Sequence, residues 1–228
     1  MPETSLKLTP PDLNDGAELK RFPADAELVE SEYSGFLFSS LKYSGRPLPG
    51  IRFDRCLIEK TVLAKSSLRS AMFEDTRIAS CDLSAADWTG TRFSRVEFAS
   101  CRLTGFVAAE GRLENVAWLN CKADYAVFPL ARLTRCRFEK CDLSNATFEG
   151  ASLTHVTLRD CNLTGARFIR TNLSDVDLRG SCLDGLEIEV ESLKGVRIDV
   201  LQAPAIAALT GVIIENSAAG DYTVRSRT

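Results

Sequence analysis

The dominant pattern in this sequence is a period of five residues in its apolar positions. Counted through Phe53, every fifth residue from Tyr33 to Ile198 is apolar, without one slip of register. Such a period fits neither a helix, which repeats every 3.6 residues, nor a strand, which repeats every 2. Self-similarity at a fixed short period is typical of a solenoid, in which each repeat packs on its neighbours. The pattern therefore predicts stacked repeats along most of the chain.

A second rule governs the residue two places before each apolar centre. From Cys56 to Ser181 this residue is Ala, Cys, Ser, Thr, Val or Gly, with Phe106 as the exception. One large and one small apolar position per five residues leave three positions for solvent, and most charged residues, Asn, Ser and Thr occupy those three. The two rules together predict two inward side chains in each repeat.

These units resemble the A(D/N)LXX repeat of the pentapeptide-repeat family. The nearest matches are residues 141–145 (CDLSN), 161–165 (CNLTG) and 171–175 (TNLSD). The resemblance implies an all-β fold, a right-handed quadrilateral parallel β-helix with one pentapeptide on each side of a coil, followed by a short C-terminal helix. Each coil would then take twenty residues.

When the sequence is divided into segments of twenty residues, the apolar centres at equivalent positions form four columns, one for each side of the coil. Phe128, Phe148 and Phe168 fall in one column. Trp118 and Ala108 lie ten residues apart, and so on opposite sides of one coil, where a large side chain fills the space that a small one leaves.

The two ends of the chain differ from the repeats. We predict an N-terminal arm or cap over 1–30, the pentapeptide-repeat β-helix over 31–198, and a C-terminal helical cap and dimerisation segment with a flexible tail over 199–228. Within the arm, residues 9–13 (TPPDL) indicate a short helix start. Residues 202–209 indicate a second short helix, ended by Gly211.

Composition places the chain among soluble globular proteins. It has 45% hydrophobic and 26% charged residues, and no apolar run approaches the roughly 20 residues that a membrane-spanning helix needs. Its first residues lack the features of a signal peptide, so we expect a cytoplasmic protein with reduced thiols and no contact with membranes.

Several residues could suggest catalysis or metal binding. Five cysteines stand twenty residues apart: Cys81, Cys101, Cys121, Cys141 and Cys161. They occupy the small inward position, where a thiol packs as a compact apolar group, so we interpret them as structural. The single histidine, His155, falls at an outward position with no nucleophile held near it, and Cys182 is predicted to be exposed and oxidisable. We therefore expect no enzyme activity, no metal and no cofactor.

The clearest functional indication is the segment from Leu193 to Gly211. It is similar to the C-terminal dimerisation module of the MfpA/Qnr-type branch of the family. That resemblance implies a homodimer, with an interface formed by Leu193, Val196, Ile198, Gln202, Ile206, Leu209, Val212 and Ile214. It further implies a DNA mimic that regulates or protects DNA gyrase or topoisomerase IV, as in fluoroquinolone resistance, without binding nucleic acid itself.

Charge supports this reading only locally. Residues 51–200 carry equal numbers of acidic and basic side chains, whereas duplex DNA is uniformly negative. Acidic residues are concentrated beside the predicted dimer junction, and the candidate partner surface consists of Asp175, Asp177, Asp184, Glu187, Glu189 and Glu191. The alternative is a scaffold or adaptor whose protein partner is unrelated to DNA topology.

Overall fold

The computed structural model describes residues 8–13, 18–23, 26–29 and 31–213. Thirteen strands and three short helices follow one another along these residues. The strands are β1 (Lys20–Arg21), β2 (Glu32–Ser34), β3 (Phe36–Ser39), β4 (Arg52–Asp54), β5 (Leu57–Glu59), β6 (Met72–Ala79), β7 (Arg92–Ala99), β8 (Arg112–Leu119), β9 (Arg132–Glu139), β10 (Ser152–Arg159), β11 (Arg167–Phe168), β12 (Asn172–Ser174) and β13 (Glu187–Ile188). The helices are two 3-10 turns, Val190–Leu193 and Val200–Gln202, and α1 (Ala203–Leu209).

From β2 onward, each strand pairs in parallel with chain that lies twenty residues before or after it. Phe73 pairs with Phe93, and Ile78 pairs with Phe98. Outside the strands, isolated parallel bridges such as Val62 to Asp82 keep the same spacing. The chain thus forms a β-solenoid of about eight coils, which confirms the quadrilateral β-helix expected from the five-residue period.

A left-handed residue turns each corner of the coil. Every fifth residue from Gly35 to Gly185 has a positive φ, including non-glycine residues such as Ala85 (φ 53°) and Lys140 (φ 52°). Between corners the backbone is extended, so side chains two residues apart point to the same side. This geometry explains why the apolar centre and the small residue before it both face the lumen.

Stacked side chains fill the lumen. All apolar centres from Phe53 to Leu183 are buried. The ring centroid of Phe148 lies 4.9 Å from that of Phe128 and 4.8 Å from that of Phe168, with the rings nearly parallel. The columns predicted from the sequence are therefore continuous stacks.

The one exception to the small-residue rule is accommodated inside its own coil. Phe106 is buried and packs edge-on between Trp88 and Trp118, with centroid distances of 5.3 and 6.1 Å. The apolar centre that follows it along the chain is the small residue Ala108. A small centre beside a large inward residue is consistent with close packing of the lumen.

The N-terminal segment closes the first coil. Strand β1 pairs with β3, and the buried ring of Phe22 lies 4.9 Å from that of Phe38. The preceding residues run along the outside of the rod, where the backbone N–H of Asp12 donates a 3.0 Å hydrogen bond to Asp75. The helix start predicted at residues 9–13 is wrong: these residues are not helical, because Pro10 cannot donate a helical hydrogen bond and Pro11 favours an extended residue before it.

The C-terminal helix covers the last coil, as predicted. Helix α1 contains Pro204 in its first turn, where a missing N–H costs nothing. Gly211, with φ 75°, follows its end. In the part of the chain that the structure describes, no helix is long and apolar enough to cross a membrane.

Candidate interaction surfaces

The cysteine column is part of the packed lumen. Cys81, Cys101, Cys121, Cys141 and Cys161 are all buried. The thiol of Cys141, for example, donates to the carbonyl oxygen of Trp118 at 3.3 Å. Outside this column, burial raises the pKa of the Cys136 thiol to about 12, so at neutral pH that thiol remains protonated and is not a nucleophile.

His155 and Cys182 lie on the surface, as the register predicts. Nδ1 of His155 lies 3.0 Å from a carboxylate oxygen of Asp175, and both side chains are more than half exposed. The Sγ atom of Cys182 lies 3.4 Å from the hydroxyl oxygen of Thr164. Across the described ranges, no three His, Cys, Asp or Glu side chains converge on a position for a metal ion.

The predicted acidic surface is partly occupied by contacts within the chain. Asp175 faces His155, and Glu187 forms a 2.9 Å ion pair with Arg167. The carboxylate of Glu189 accepts the backbone N–H of Arg170. Within the described residues, Asp184 and Glu191 form no ion pair, so these two carry the least compensated charge of the set.

Asp177 is a correction to that set. Its side chain is almost fully buried, and its carboxylate accepts hydrogen bonds from Arg159 and Arg179 at about 3 Å. Burial raises the pKa of Asp177, but the hydrogen bonds from Arg179 and Arg159 outweigh burial and lower it to about 2. This carboxylate holds adjacent coils together and is not available to a partner.

The residues predicted to form the dimer interface differ in how far they are buried. Val196, Ile198 and Ile206 are half-buried and pack against the chain's own core. Leu193 and Leu209 are also half-buried, and Val212 is exposed. Ile214 lies outside the described residues.

Gln202 is the second correction. It is buried, and its side-chain amide donates to the carbonyl oxygens of Leu178 at 2.8 Å and Ser181 at 2.6 Å. Its amide oxygen accepts the backbone N–H of Asp199 at 2.7 Å. Gln202 therefore caps the last coil from within the chain, and its amide has no free donor for a second copy.

The most exposed apolar side chains at this end of the rod belong to residues that the sequence did not predict as interface residues. Val200 is 88% exposed and Leu201 is 92% exposed, and Ile213 is 78% exposed. Val200 and Leu201 belong to the second 3-10 turn, where the five-residue register has already ended. The sequence signal for them is an adjacent aliphatic pair that follows the last apolar centre, Ile198, after Asp199.

Elsewhere on the rod, charges alternate in sign. Arg95 binds both Glu74 and Asp75 through side-chain contacts of 2.8 and 2.7 Å. Two coils further along the same side, Arg135 pairs with Glu114. These pairs link successive coils, and their arginines interrupt the negative charge on this side of the rod.

Comparison with known proteins agrees with the repeat geometry. A profile of the pentapeptide repeat region matches residues 131–202, and a profile of pentapeptide repeats in eight copies matches residues 78–105. The two matched regions are therefore pentapeptide repeats. Both matched ranges lie inside the solenoid, where this pentapeptide-repeat chain keeps its five-residue register.

Solved structures of other pentapeptide-repeat proteins are similar to this chain at low sequence identity. HetL, involved in heterocyst differentiation regulation in the cyanobacterium Nostoc sp. Strain PCC 7120, is 15% identical, with 74% of this chain and 90% of HetL covered and a TM-score of 0.41. Trypsin-treated QnrB1 M102R, a plasmid-mediated fluoroquinolone resistance protein, is 22% identical, with 86% and 95% covered and a TM-score of 0.40. Among curated proteins, none matches the sequence.

Proposed function

We propose that this pentapeptide-repeat protein is a non-enzymatic protein-interaction rod that forms a homodimer through its C-terminal end. The observation that supports the proposal is the exposure of Val200 and Leu201, at 88% and 92%, beside the partly exposed helix α1. Adjacent aliphatic side chains held this far into water on an ordered turn are typical of a surface that a second molecule covers.

A two-fold axis near this turn would bring the same residues of both copies together. Val200 and Leu201 of one copy would then pack against Val200 and Leu201, or against Val212, of the other. Each rod would extend away from the junction, and the acidic side chains of Asp184 and Glu191 would lie near the centre of the dimer. The faces of the rods would carry partner proteins.

The double variant Val200→Ser/Leu201→Ser tests the junction. Size-exclusion chromatography with light scattering should show a dimer for the parent chain and a monomer for this variant. Val190→Ser is the matched control, since Val190 is also exposed but lies on the preceding 3-10 turn. A dimer that survives the double substitution would contradict this location of the interface.

A second candidate function is regulation or protection of a type II topoisomerase such as DNA gyrase. The observation that favours it is the exposure of Asp184 and Glu191, which form no ion pair among the described residues and shortly precede the proposed junction in the sequence. Carboxylates there would compete with DNA for a positively charged groove. The test is a gyrase supercoiling assay with and without a fluoroquinolone. Absence of inhibition, of protection and of measurable binding would eliminate this candidate and favour an adaptor with another partner.

A further inference from the structure

The middle of the rod carries an exposed apolar surface on one side of two successive coils. We name it the apolar strip, and it consists of Val107, Ala109, Tyr125, Val127, Pro129 and Leu130. Tyr125 is 59% exposed and Leu130 is 63% exposed. Outward positions between residues 125 and 131 contain no charged side chain, unlike the corresponding positions two coils later, which contain Arg167 and Arg170.

The two most exposed members of the strip are held in an unfavourable backbone conformation. Tyr125 has φ 56° and Leu130 has φ 57°, in the left-handed region that bulky residues rarely adopt. Such a conformation costs on the order of 1–3 kcal/mol per residue. Gly105 and Asn145 occupy the equivalent corners of the coils on either side of Tyr125, so the fold itself does not require an aromatic residue there.

Leu130 forms one wall of a surface cleft. Its Cδ2 atom lies only 2.9 Å from where a Cβ atom on Gly150 would stand, so Leu130 leans across that glycine. The cleft encloses about 380 Å³ and is lined by Pro129, Leu130, Glu149, Gly150 and Arg170. A cleft with aliphatic residues on one wall can receive an apolar side chain from another molecule.

Three arginines stand beside the strip, around the next corner of the rod. Arg92, Arg112 and Arg132 pair in register on β7, β8 and β9, which puts their Cα atoms about 4.8 Å apart. All three are exposed. Among the described residues none of their side chains forms an ion pair, although like charges directly opposite one another destabilise a sheet.

We propose that the apolar strip and this arginine column together bind an acidic amphipathic segment of a partner protein. Apolar side chains of the segment would cover Tyr125 and Leu130 and enter the cleft at Gly150, while its carboxylates would neutralise Arg112 and Arg132. The proposal rests on the proposed function only in that the rod binds another protein. It does not require the dimer, because the strip is remote in sequence from Val200 and Leu201.

Charge and polarity favour this partner over two others. A nucleic acid would match the arginines but would leave the apolar strip against phosphates. A second copy of this chain would cover the strip but would add three more unpaired arginines to the same interface. A segment that combines apolar and acidic side chains satisfies both halves of the surface.

Selection from a displayed library of random peptides on the immobilised 228-residue chain tests the proposal. The selected peptides should be acidic and should carry at least two large apolar residues. One of them is then labelled and titrated against variants by fluorescence anisotropy. Tyr125→Asn/Leu130→Asn should weaken binding at least about tenfold, as loss of a central apolar anchor does, and Arg112→Glu/Arg132→Glu should weaken it to a similar degree.

The asparagine variants separate binding from folding. Asparagine tolerates the left-handed conformation better than tyrosine or leucine, so the double variant should unfold at the same temperature as the parent or higher. Lys65→Asn is the matched control, because Lys65 occupies the same corner column three coils before Tyr125 and also has a positive φ. Val200→Ser/Leu201→Ser should bind the peptide like the parent, which distinguishes failure of the strip from failure of the dimer.

Four results would overturn the inference. The first is that no peptides are enriched on the parent chain relative to the Tyr125→Asn/Leu130→Asn protein, and the second is that the selected peptides are basic. The third is that the parent and that double variant bind the peptide with equal affinity. The fourth is that single-stranded or duplex DNA competes with the peptide for the strip. Self-association that disappears in Tyr125→Asn/Leu130→Asn would likewise identify a second copy of the chain as the occupant.

Discussion

The side-chain amide of Gln202 donates a 2.8 Å hydrogen bond to the carbonyl oxygen of Leu178, one coil below it. That carbonyl also accepts the backbone N–H of Ser181 at 3.2 Å within its own turn. The same amide also donates a 2.6 Å hydrogen bond to the carbonyl oxygen of Ser181. One side chain thus replaces the next coil at the end of the rod, where an open β edge would otherwise be left unpaired.

Removal of this cap should destabilise the end of the rod. Gln202→Met keeps the length of the side chain but leaves the carbonyl oxygen of Ser181 without its donor, at a cost of about 1–3 kcal/mol, and removes one of the two donors to Leu178. Hydrogen exchange should therefore accelerate in the last coil, around Leu178 and Leu183. Lys194→Met, at an exposed position nearby, is the control, and equal protection in both variants would show that Gln202 is not a cap.

The aromatic stack in the lumen gives a second prediction. Phe148 is fully buried between Phe128 and Phe168. Phe148→Ala should lower the free energy of unfolding by about 3–5 kcal/mol, because the neighbouring coils cannot close the cavity. Denaturant melts measure this directly. A loss below about 1 kcal/mol would mean that the ring does not support the stack.

Substitution of glycine for either of two adjacent alanines should change the stability of the protein in opposite directions. Ala85 is an exposed corner residue with φ 53°, whereas Ala86 is fully buried at the small inward position. Ala85→Gly should raise the stability by roughly 0.5–1 kcal/mol by removing left-handed strain. Ala86→Gly should lower it by about 1 kcal/mol through lost packing and greater freedom of the unfolded chain. Thermal and denaturant melts that give both variants the same sign would contradict the corner assignment.

Asp177 should make stability depend on pH at the acidic end. Its pKa is about 2 in the folded chain, against an ordinary value of 3.8. A lowered pKa means that the stabilisation is complete above pH 3.8 and is lost as the pH falls towards 2, and the shift corresponds to roughly 2 kcal/mol.

Asp177→Asn tests this dependence. The difference in unfolding free energy between the parent and this variant should be about 2 kcal/mol at neutral pH and should shrink below pH 4. Asp184→Asn, at an exposed carboxylate, is the control and should change little. A difference between the parent and Asp177→Asn that stays constant down to pH 2 would show that the arginine contacts do not hold Asp177 ionised.

The repeat region could be predicted from the sequence because the fold is local and periodic. One register fixes the direction of every side chain between Tyr33 and Leu183, and even Phe106, the exception in size, points inward. The ends have no such constraint. Phe22 closes the first coil from outside the register, and nothing in residues 9–13 indicated that they would lie along the rod.

The candidate surfaces were less predictable, for a related reason. The register predicts whether a side chain points outward, but it does not predict which side chain of the next coil, twenty residues away, lies beside it. The contacts of Asp177 with Arg159 and Arg179, and those of Gln202 with carbonyl oxygens of its own chain, do not follow from the register. The apolar strip depends on which side chains lie beside one another in successive coils, and the register alone does not predict that.

The molar mass of the 228-residue chain in solution tests the central claim, that this rod acts as a dimer, most directly. Sedimentation equilibrium over a range of protein concentrations should give twice the chain mass of 25.0 kDa. It should give the single chain mass for Val200→Ser/Leu201→Ser. A parent chain that sediments as a 25.0 kDa monomer at every concentration would contradict the proposed dimer.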